Sequence, residues 1–259
     1  MNAIVTGGTR GVGFELVKYF TKNNIPTIFT GRNKKEINHV EHVTDSNLAY
    51  GIQLDLTDTN SIQQFLNRID SMRIDPTIIV HNAGYLSVRP TEKLSNIHKL
   101  FLVNSIGPIS ITEHFLPKMK QNNKGHLIFN SPPIHFDRKM KFMTPYLQSK
   151  FSQTTYMKSI AYTLQNYKIS SNSMWTGFPL WTDAIEKRKI GTKDQCVHPS
   201  ILSHVVDQII FSENPMTFKG HELIDKNYLK EKNIPVEQFY LGKKSGISLE
   251  ELFSKQFAV

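Results

Sequence analysis

Two side chains that stand four residues apart could carry acid–base chemistry. Tyr146 and Lys150 lie in the segment Tyr-Leu-Gln-Ser-Lys, and because the surrounding residues have a helical pattern, the two share one face of a helix. A free phenol has a pKa of about 10 and exchanges protons poorly at neutral pH. A lysine ammonium beside the phenol favours the phenolate and lowers that pKa. Tyr146 could therefore move a proton to or from a substrate oxygen.

A glycine-rich loop near the start of the chain is typical of a phosphate-binding turn. The apolar residues 3–5 predict a buried strand before the loop, and a helical pattern follows it. In such a strand–loop–helix, Gly7 allows the tight turn, Gly11 a close approach to phosphate, and Gly13 a close contact between helix and strand. The expected nucleotide-binding residues of this loop are Thr6, Gly7, Thr9, Arg10, Gly11, Val12 and Gly13.

Short apolar strands alternate with helical patterns along most of the chain. This alternation predicts one α/β domain, residues 1–259, with a doubly wound Rossmann-type parallel sheet and ligands at the carboxyl edge of the strands. The predicted strands after the first are Thr27–Thr30, Gly51–Asp55, Thr77–His81, His126–Asn130, Ile169–Trp175 and His221–Ile224. The predicted helices are Glu15–Asn23, Ser61–Ile69, Leu94–Met119 (interrupted at Gly107-Pro108), Pro145–Tyr167 and Ser200–Phe211.

Groups at the predicted strand ends indicate which nucleotide binds. After the second strand, a carboxylate would bind a ribose 2′-hydroxyl, whereas a cation would pair with a 2′-phosphate. Arg32 is the cation there, and Arg10 could converge on the same phosphate. NADP(H) is therefore favoured over NAD(H), the alternative being that both arginines are ordinary surface residues. At the next strand end, Asp55, followed by Leu56, could bind the adenine amino group or cap the following helix.

The fourth predicted strand ends in a run that suits a bound nucleotide. In His81-Asn82-Ala83-Gly84, the small residues let the backbone pass beside a ribose, and Asn82 can tie neighbouring strands together. His81 is interpreted as a strand-end histidine rather than an acid or base. With an oxidised nicotinamide bound as well, Tyr146 could supply the proton that accompanies hydride transfer at a carbonyl or alcohol carbon.

Three further groups could do chemistry. The segment 39–42, His-Val-Glu-His, has metal-like spacing but no evident third ligand, so no metal site is predicted. Cys196 has no recognisable partner and is interpreted as an ordinary thiol. A third group could line an apolar substrate pocket or belong to the core, and consists of Trp175, Phe178 and Trp181.

Composition excludes several classes of protein. Of the 259 residues 39% are hydrophobic, enough for a substantial core, and no run is long enough to span a bilayer. A single cysteine excludes an intramolecular disulfide, and with no targeting signal at either end the expected location is cytoplasmic. The net charge of +9 comes from scattered basic residues, which favours solvated lysines over a nucleic-acid site.

Taken in order, the motifs resemble those of the short-chain dehydrogenase/reductase family. Residues 6–13 are similar to its Thr-Gly-x-x-x-Gly-x-Gly loop, 82–84 to its Asn-Ala-Gly motif, and 146–150 to its Tyr-x-x-x-Lys pair. The resemblance covers the chain from about residue 3 to about residue 238. It implies a seven-stranded parallel sheet and a homodimer or homotetramer.

The resemblance also implies roles for single residues. Tyr146 would be the general acid/base, Lys150 would bind the nicotinamide ribose and lower the Tyr146 pKa, and Asn104 would hold a water in a proton relay. Further implied cofactor contacts are Asn82, Ala83, Gly84, Gly177 and Thr182.

Two departures from the family pattern stand near the expected site. Pro132 or Pro133 occupies the place of the usual catalytic serine, and proline has neither a hydroxyl nor an N–H with which to stabilise an oxyanion. Ser131 could substitute for that serine if the backbone bulges. Thr176-Gly177 replaces the usual Pro-Gly. With residues 134–136, Met174-Trp175 and residues 218–230, these features resemble the hydroxysteroid dehydrogenase-like protein 2 group.

The expected function is that of an NADP(H)-dependent oxidoreductase that interconverts a carbonyl and a secondary alcohol of a small or lipid-like substrate. A substrate loop is expected at about residues 176–200 and a C-terminal extension at about residues 226–259. The alternative is an NADP-binding sensor or scaffold with weak or no catalysis, since proline stands at the serine position. Nucleic-acid binding is suggested by charge alone and is the least favoured interpretation.

Overall fold

A seven-stranded, all-parallel sheet forms the centre of the protein. The computed structural model describes residues 1–44, 47–135 and 138–256. The strands are β1 (Ala3–Val5), β2 (Thr27–Gly31), β3 (Ala49–Gln53), β4 (Ile78–His81), β5 (Gly125–Asn130), β6 (Ile169–Trp175) and β7 (Glu222–Ile224). Their order in the sheet is β3-β2-β1-β4-β5-β6-β7. The predicted single, doubly wound Rossmann-type α/β domain is therefore confirmed.

Helices connect the strands and cover both faces of the sheet. They are α1 (Gly11–Lys22), α2 (Lys34–Val43), α3 (Thr59–Ser71), α4 (Leu94–Phe101), α5 (Gly107–Asn122), α6 (Thr144–Thr163), α7 (Asp183–Lys187), α8 (Ile201–Asp207), α9 (Asp225–Glu231) and α10 (Leu249–Gln256). Helices α1, α2 and α8 pack on one face, and α3, α5 and α6 on the other. Because both faces are covered, the central strand β1 is apolar throughout: Ile4 points to one layer of helices and Val5 to the other.

Strand β3 begins and ends two residues before the predicted strand. Ala49 pairs with Thr27 at the start of β2, which sets the register of the two strands. Asp55 is outside the sheet because its carboxylate accepts hydrogen bonds from the Thr57 N–H (2.9 Å) and hydroxyl (2.8 Å), which fold the chain into a turn.

The prediction missed helix α2 and located the break in the long helix correctly. Helix α2 is capped by Asn33, whose side chain accepts a hydrogen bond from the Lys35 N–H at 2.8 Å, and it buries Ile37 and Val40. The predicted helix 94–119 is divided by a π-helical turn, Leu102–Ile106, immediately before Gly107-Pro108. Such turns are frequent at functional sites.

A third apolar cluster lies apart from the two sheet faces. It brings Tyr146 of α6 together with Met143 before that helix and with Leu249 and Phe253 of α10. The rings of Phe142 and Phe253 lie 5.3 Å apart, so the C-terminal helix packs against the segment that leads into α6. The expected substrate loop and C-terminal extension therefore contribute to one cluster.

Some predicted features reach beyond the described residues. Phe136 of the 134–136 motif and residues 257–259 of the expected extension lie outside them. Within the described part of the chain, no helix is both long enough and apolar enough to cross a bilayer.

Replacing Gly13 by alanine should destabilise the fold. An added Cβ would lie 2.1 Å from the Gly7 carbonyl oxygen and 2.5 Å from Nδ2 of Asn82, so the loop would have to move. We expect Gly13→Ala to lower the free energy of unfolding by about 1–3 kcal/mol in urea denaturation. Lys22→Ala, at an exposed position of the same helix, is the control and should change it little. Equal stability of Gly13→Ala and wild type would contradict the close contact.

Candidate active site

One cleft of about 1370 Å³ lies along the carboxyl edge of the sheet. It spans the place where the chain reverses direction across the sheet, between β1 and β4, which is where α/β sheets bind ligands. The predicted site residues that line it are Gly7, Thr9, Arg10, Gly11, Val12, Arg32, Asp55, Leu56, Asn82, Ala83, Gly84, Tyr146, Lys150 and Thr182. The predicted residues that do not line it are Thr6, Gly13, Asn104, Ser131 and Gly177.

The glycine loop leaves a helix N-terminus available for a phosphate. Gly7 (φ +67°) and Gly11 (φ +54°) have left-handed backbone conformations that favour glycine. Helix α1 begins at Gly11, and the extended residue before it, Arg10, makes no side-chain cap. The N–H groups of the first turn therefore remain for a ligand, as a dinucleotide pyrophosphate requires.

Asn82 and Thr6 hold the loop in place from behind. The Asn82 side-chain amide donates to the carbonyl oxygens of Thr6 (3.2 Å) and Gly7 (3.1 Å). In return, the Thr6 hydroxyl accepts hydrogen bonds from the N–H groups of Asn82 and Ala83, both at 3.1 Å. Asn82 thus ties the end of β4 to the loop after β1.

Cations surround Asp55 at one end of the cleft. Burial alone would raise the pKa of the Asp55 carboxyl, but the Thr57 hydrogen bonds and the charges of Arg32 and Lys99 hold it below its usual value. Of the two predicted alternatives, capping of the following helix is wrong, because the N-cap of α3 is Asp58. Asp55 lines the cleft, and its bond to the adenine amino group stays a prediction.

The Arg10 side chain forms an ion pair with a carboxylate. Its guanidinium lies 3.5 Å from the carboxylate of Asp183 in α7, and both side chains are exposed. The Asp183 carboxylate also contacts Lys187 at 2.6 Å. The structure therefore brings Arg10 and Arg32 to the same cleft but pairs the Arg10 guanidinium with Asp183.

Tyr146 and Lys150 lie together in the cleft on helix α6. The Tyr146 hydroxyl makes no hydrogen bond to the described residues, whereas the Lys150 ammonium donates to the Asn130 carbonyl (2.7 Å) and the Gln153 side-chain oxygen (3.3 Å). Burial raises the pKa of Tyr146 and lowers that of Lys150 to about 7. In the free protein burial thus shifts the Tyr146 pKa upward, whereas the lowering predicted from the sequence concerns the protein with an oxidised nicotinamide bound.

Asn104 is fully buried behind the cleft, in the π-helical turn. Its side-chain oxygen accepts from the Tyr85 N–H (2.8 Å), and its amide donates to the Tyr85 carbonyl and the Ser149 hydroxyl, each at 2.9 Å. The Asn104 side chain therefore joins the segment after β4 to α6.

Ser131 faces away from the cleft. It is fully buried, and its hydroxyl accepts a hydrogen bond from Thr154 of α6 at 2.8 Å. Thr154 follows Tyr146 by eight residues, or about 12 Å along a helix axis. A hydroxyl held at Thr154 cannot also reach an oxygen held at the Tyr146 hydroxyl.

The three aromatic residues for which the sequence left pocket lining and core packing open do not all have the same role. Trp175 lines the cleft, Phe178 is fully buried in the core beside α8, and Trp181 packs partly buried against the third apolar cluster.

A buried carboxylate fixes the segment that follows Trp175. Asp225, at the start of α9, accepts hydrogen bonds from the Gly177 N–H (2.7 Å), the Thr176 hydroxyl (2.9 Å) and the Lys226 N–H (2.6 Å). The Gly177 carbonyl accepts from the Leu249 N–H at 3.0 Å. Both backbone groups of Gly177 are thus occupied within the protein.

The remaining candidates lie away from the site chemistry. His81 is fully buried, with Nε2 2.7 Å from the Thr112 hydroxyl, and burial lowers its pKa to about 3, so it stays neutral. Cys196 is buried, which raises its thiol pKa to about 11. His39 and His42 are exposed on α2, and the described residues contain no group of three potential metal ligands.

Sequence reasoning missed two site residues, Lys99 and Asp225. Lys99 reaches the Asp55 region from α4, far along the chain, and no spacing rule would connect the two. Asp225 directly follows the predicted strand 221–224. A carboxylate at the carboxyl end of a predicted strand is the sequence feature that could have identified it.

The sheet order and the glycine loop at its reversal define a Rossmann-type α/β domain. A family model described as short chain dehydrogenase matches residues 1–191. The chain belongs to the short-chain dehydrogenase family, a family of oxidoreductases.

Curated relatives match at modest identity. An uncharacterized oxidoreductase, YvrD, of Bacillus subtilis is 24% identical over 185 residues, covering 70% of this chain and 69% of the relative. A polyprenol dehydrogenase of Danio rerio is 24% identical over 204 residues, covering 73% of this chain and 62% of the relative. This chain thus spans less than two thirds of the zebrafish protein.

Solved structures support the fold. A dehydrogenase structure from Xanthomonas campestris is similar with a TM-score of 0.83, 18% identity and 95% coverage of each chain. A metagenomic short-chain oxidoreductase in complex with NADP (TM-score 0.72, 21% identity) and a 4-hydroxyisoleucine dehydrogenase mutant with NADH and succinate (0.75, 17%) each cover 86% of this chain and 96% of their own. At these identities the likeness shows the fold alone.

Replacing Asp225 by asparagine should flatten the dependence of stability on pH. Burial raises the Asp225 pKa from 3.8 to about 6, and its hydrogen bonds only partly offset this. Between these pH values the folded chain binds more protons than the unfolded chain, so the free energy of unfolding falls as the pH rises. From pH 4 to 7, we expect the free energy of unfolding of wild type to fall by about 2 kcal/mol relative to Asp225→Asn.

Urea denaturation at several pH values measures this difference. Asn can accept from the two N–H groups and donate to the Thr176 hydroxyl, so Asp225→Asn should keep the segment in place, whereas Asp225→Ala should not. Parallel curves for wild type and Asp225→Asn would contradict the raised pKa.

Proposed function

We propose that this protein is an NADP(H)-dependent oxidoreductase that interconverts a carbonyl and a secondary alcohol, with Tyr146 as general acid/base. One observation carries the proposal: the Tyr146 hydroxyl, which makes no hydrogen bond to the described residues, lies with Lys150 in the same cleft as the N-terminus of α1. The cleft suits a dinucleotide, since Gly7 and Gly11 line it in left-handed backbone conformations beside a helix N-terminus, where a pyrophosphate would bind.

The chain's own residues would bind the dinucleotide and handle the proton. The loop 7–12 would bind the pyrophosphate, and Ala83 and Gly84 would lie beside the nicotinamide ribose. When bound, the nicotinamide supplies or accepts a hydride. Since burial keeps Tyr146 protonated, its hydroxyl could donate a proton to a carbonyl oxygen.

Lys150 is positioned to support Tyr146. Its ammonium is anchored by the Asn130 carbonyl and Gln153, and its pKa of about 7 lets it exchange a proton near neutral pH. It would also bind the ribose hydroxyls, as the resemblance implies. Asn104 would then act through its hold on Tyr85 and Ser149 rather than by direct contact of its side chain with the cleft.

The preference for NADP(H) rests on positive charge at the adenine end. Arg32, Lys34 and Lys99 line that part of the cleft, opposed there by Asp55 and Glu36. A 2′-phosphate would pair with the Arg32 guanidinium. Since structural neighbours are bound to NADP or to NADH, likeness of fold does not choose between them.

An NADP-binding sensor or scaffold is the second candidate. It is favoured by the position of Ser131, whose hydroxyl is bonded to Thr154 and does not face the cleft. A sensor would bind NADPH saturably and turn over no carbonyl.

Finer features of the proposal rest on sequence and resemblance. We propose a small or lipid-like substrate, a substrate loop at about residues 176–200 and a place near the hydroxysteroid dehydrogenase-like protein 2 group. A homodimer or homotetramer is proposed on the resemblance, and a cytoplasmic location on the single thiol, Cys196.

Replacing Tyr146 by phenylalanine should abolish turnover without loss of cofactor binding. Phenylalanine keeps the ring but not the proton, so we expect NADPH-dependent reduction of carbonyl compounds to fall by about 10²–10⁴-fold. NADPH oxidation over a broad carbonyl panel measures this. Tyr162→Phe is the matched control, an exposed tyrosine on the same helix. Full turnover by Tyr146→Phe would reject the role of Tyr146, and no turnover by wild type with saturable NADPH binding would favour the sensor.

Replacing Arg32 by alanine should weaken NADPH binding selectively. Loss of a charge-assisted contact to the 2′-phosphate should raise the NADPH Kd about 10–100-fold and leave the NADH Kd unchanged. Fluorescence titration measures both constants, with Arg89→Ala, an exposed arginine outside the cleft, as control. Tighter binding of NADH than NADPH by wild type would refute the assignment.

A further inference from the structure

The reaction proposed above lacks a second hydrogen-bond donor for the substrate oxygen. Stabilisation of developing negative charge by preorganised donors is a large part of catalysis at carbonyl groups. In this chain Tyr146 is one donor, and β5 is followed by Ser131 and Pro132, neither of which lines the cleft. A second donor must therefore come from another part of the cleft wall near Tyr146.

Strand β6 places Trp175 beside Ser131, near the position where the family has its catalytic serine. Asn130 of β5 pairs with Met174 of β6, and the Ser131 N–H continues the ladder by donating to the Met174 carbonyl at 3.1 Å. The next position on β6, Trp175, is therefore beside Ser131, one strand further along the sheet.

The side chain of Trp175 lies on the catalytic face of the sheet. Successive side chains of a strand point to opposite faces. Met174 packs into the cluster beside α1 and α8, so Trp175 points to the face that α6 covers. Consistent with this, Trp175 packs against the apolar cluster that contains Tyr146, and it lines the same cleft.

The indole N–H of Trp175 is free. It makes no hydrogen bond to the described residues, and it is not among their buried polar atoms without a partner, so it is open to the space that the side chain lines. An indole N–H is a donor only, and a carbonyl or alkoxide oxygen is its natural acceptor. The segment after it is fixed by Asp225, which holds Thr176 and Gly177 and thereby the end of β6.

We propose that Trp175 is a catalytic residue whose indole N–H binds the substrate oxygen together with the Tyr146 hydroxyl. The proposal rests on the proposed function. In reduction, a hydride leaves the dinucleotide for the carbonyl carbon, which oxidises the dinucleotide by two electrons. The Tyr146 O–H bond breaks and its proton goes to the carbonyl oxygen. The Trp175 N–H transfers nothing, and stabilises the charge that develops on that oxygen.

Trp175→Phe removes this donor and keeps an aromatic ring in the wall. We expect kcat for the best substrate of the carbonyl panel to fall on the order of 10²-fold, with the NADPH Kd unchanged. The matched control is Trp181→Phe, which should stay within about threefold of wild type because Trp181 does not line the cleft. Incorporation of 3-benzothienylalanine at position 175, a ring of the same shape without the N–H, should reproduce the loss and exclude a packing effect.

A second measurement reports on the hydrogen bond without turnover. In a Trp181→Phe background, Trp175 is the only tryptophan of the chain, so its ¹⁵N-labelled indole gives a single resonance. With NADP⁺ bound, addition of acetophenone or another carbonyl of the panel should shift the indole proton downfield and slow its exchange with water. The same titration of Tyr146→Phe should retain the shift, because the donor is still present.

The outcomes separate this proposal from the function on which it rests. Loss of activity in Trp175→Phe together with the indole shift supports it. Activity of Trp175→Phe within threefold of wild type, or an indole resonance that no carbonyl moves, overturns it. If Tyr146→Phe keeps full turnover, or wild type turns over no carbonyl, the proposed function fails, and the indole titration still decides whether Trp175 binds a carbonyl.

Discussion

The hydrogen bonds from the Asn82 amide to the loop carbonyls are the interaction on which the cleft depends. Gly13 of α1, the Gly7 carbonyl and Asn82 meet so closely that no side chain fits between them. This contact fixes three elements at once: the end of β1, the start of α1 and the end of β4. Since the helix N-terminus must face outwards at that junction, a phosphate site follows from packing rather than from any charged side chain.

Burial of Lys150 links this junction to the other half of the cleft. The ammonium lies beneath the end of β5, held by the Asn130 carbonyl, and Asn130 in turn donates to the Asn82 side chain at 3.2 Å. An amine with so little solvent has a pKa near neutral, because burial penalises its charged form. Tyr146 is buried by the same packing and stays protonated. The same burial thus disfavours the charged form of both side chains.

The sequence predicted those parts of the site that depend on local patterns. Strand–loop–helix spacing identified the glycine loop, and helical spacing put Tyr146 and Lys150 on one face of α6. What it could not predict depends on contacts between distant segments: the engagement of Arg10 by Asp183 and the rotation of Ser131 towards Thr154. Helix α2 was missed because its polar sequence shows only two buried positions, and the register of β3 was misjudged because a turn at Asp55 ends the strand.

The path of the chain after β5 bears on the departure at the serine position. After β5 the chain passes towards β7, where the Ile134 N–H donates to the Glu222 carboxylate at 2.9 Å and Lys158 of α6 pairs with the same group at 2.7 Å. This path takes the residues after Asn130 away from the cleft and leaves its wall to β6 and α10. On this path the Ser131 hydroxyl is held by Thr154, so a hydroxyl here does not face the cleft unless the chain after β5 takes another course.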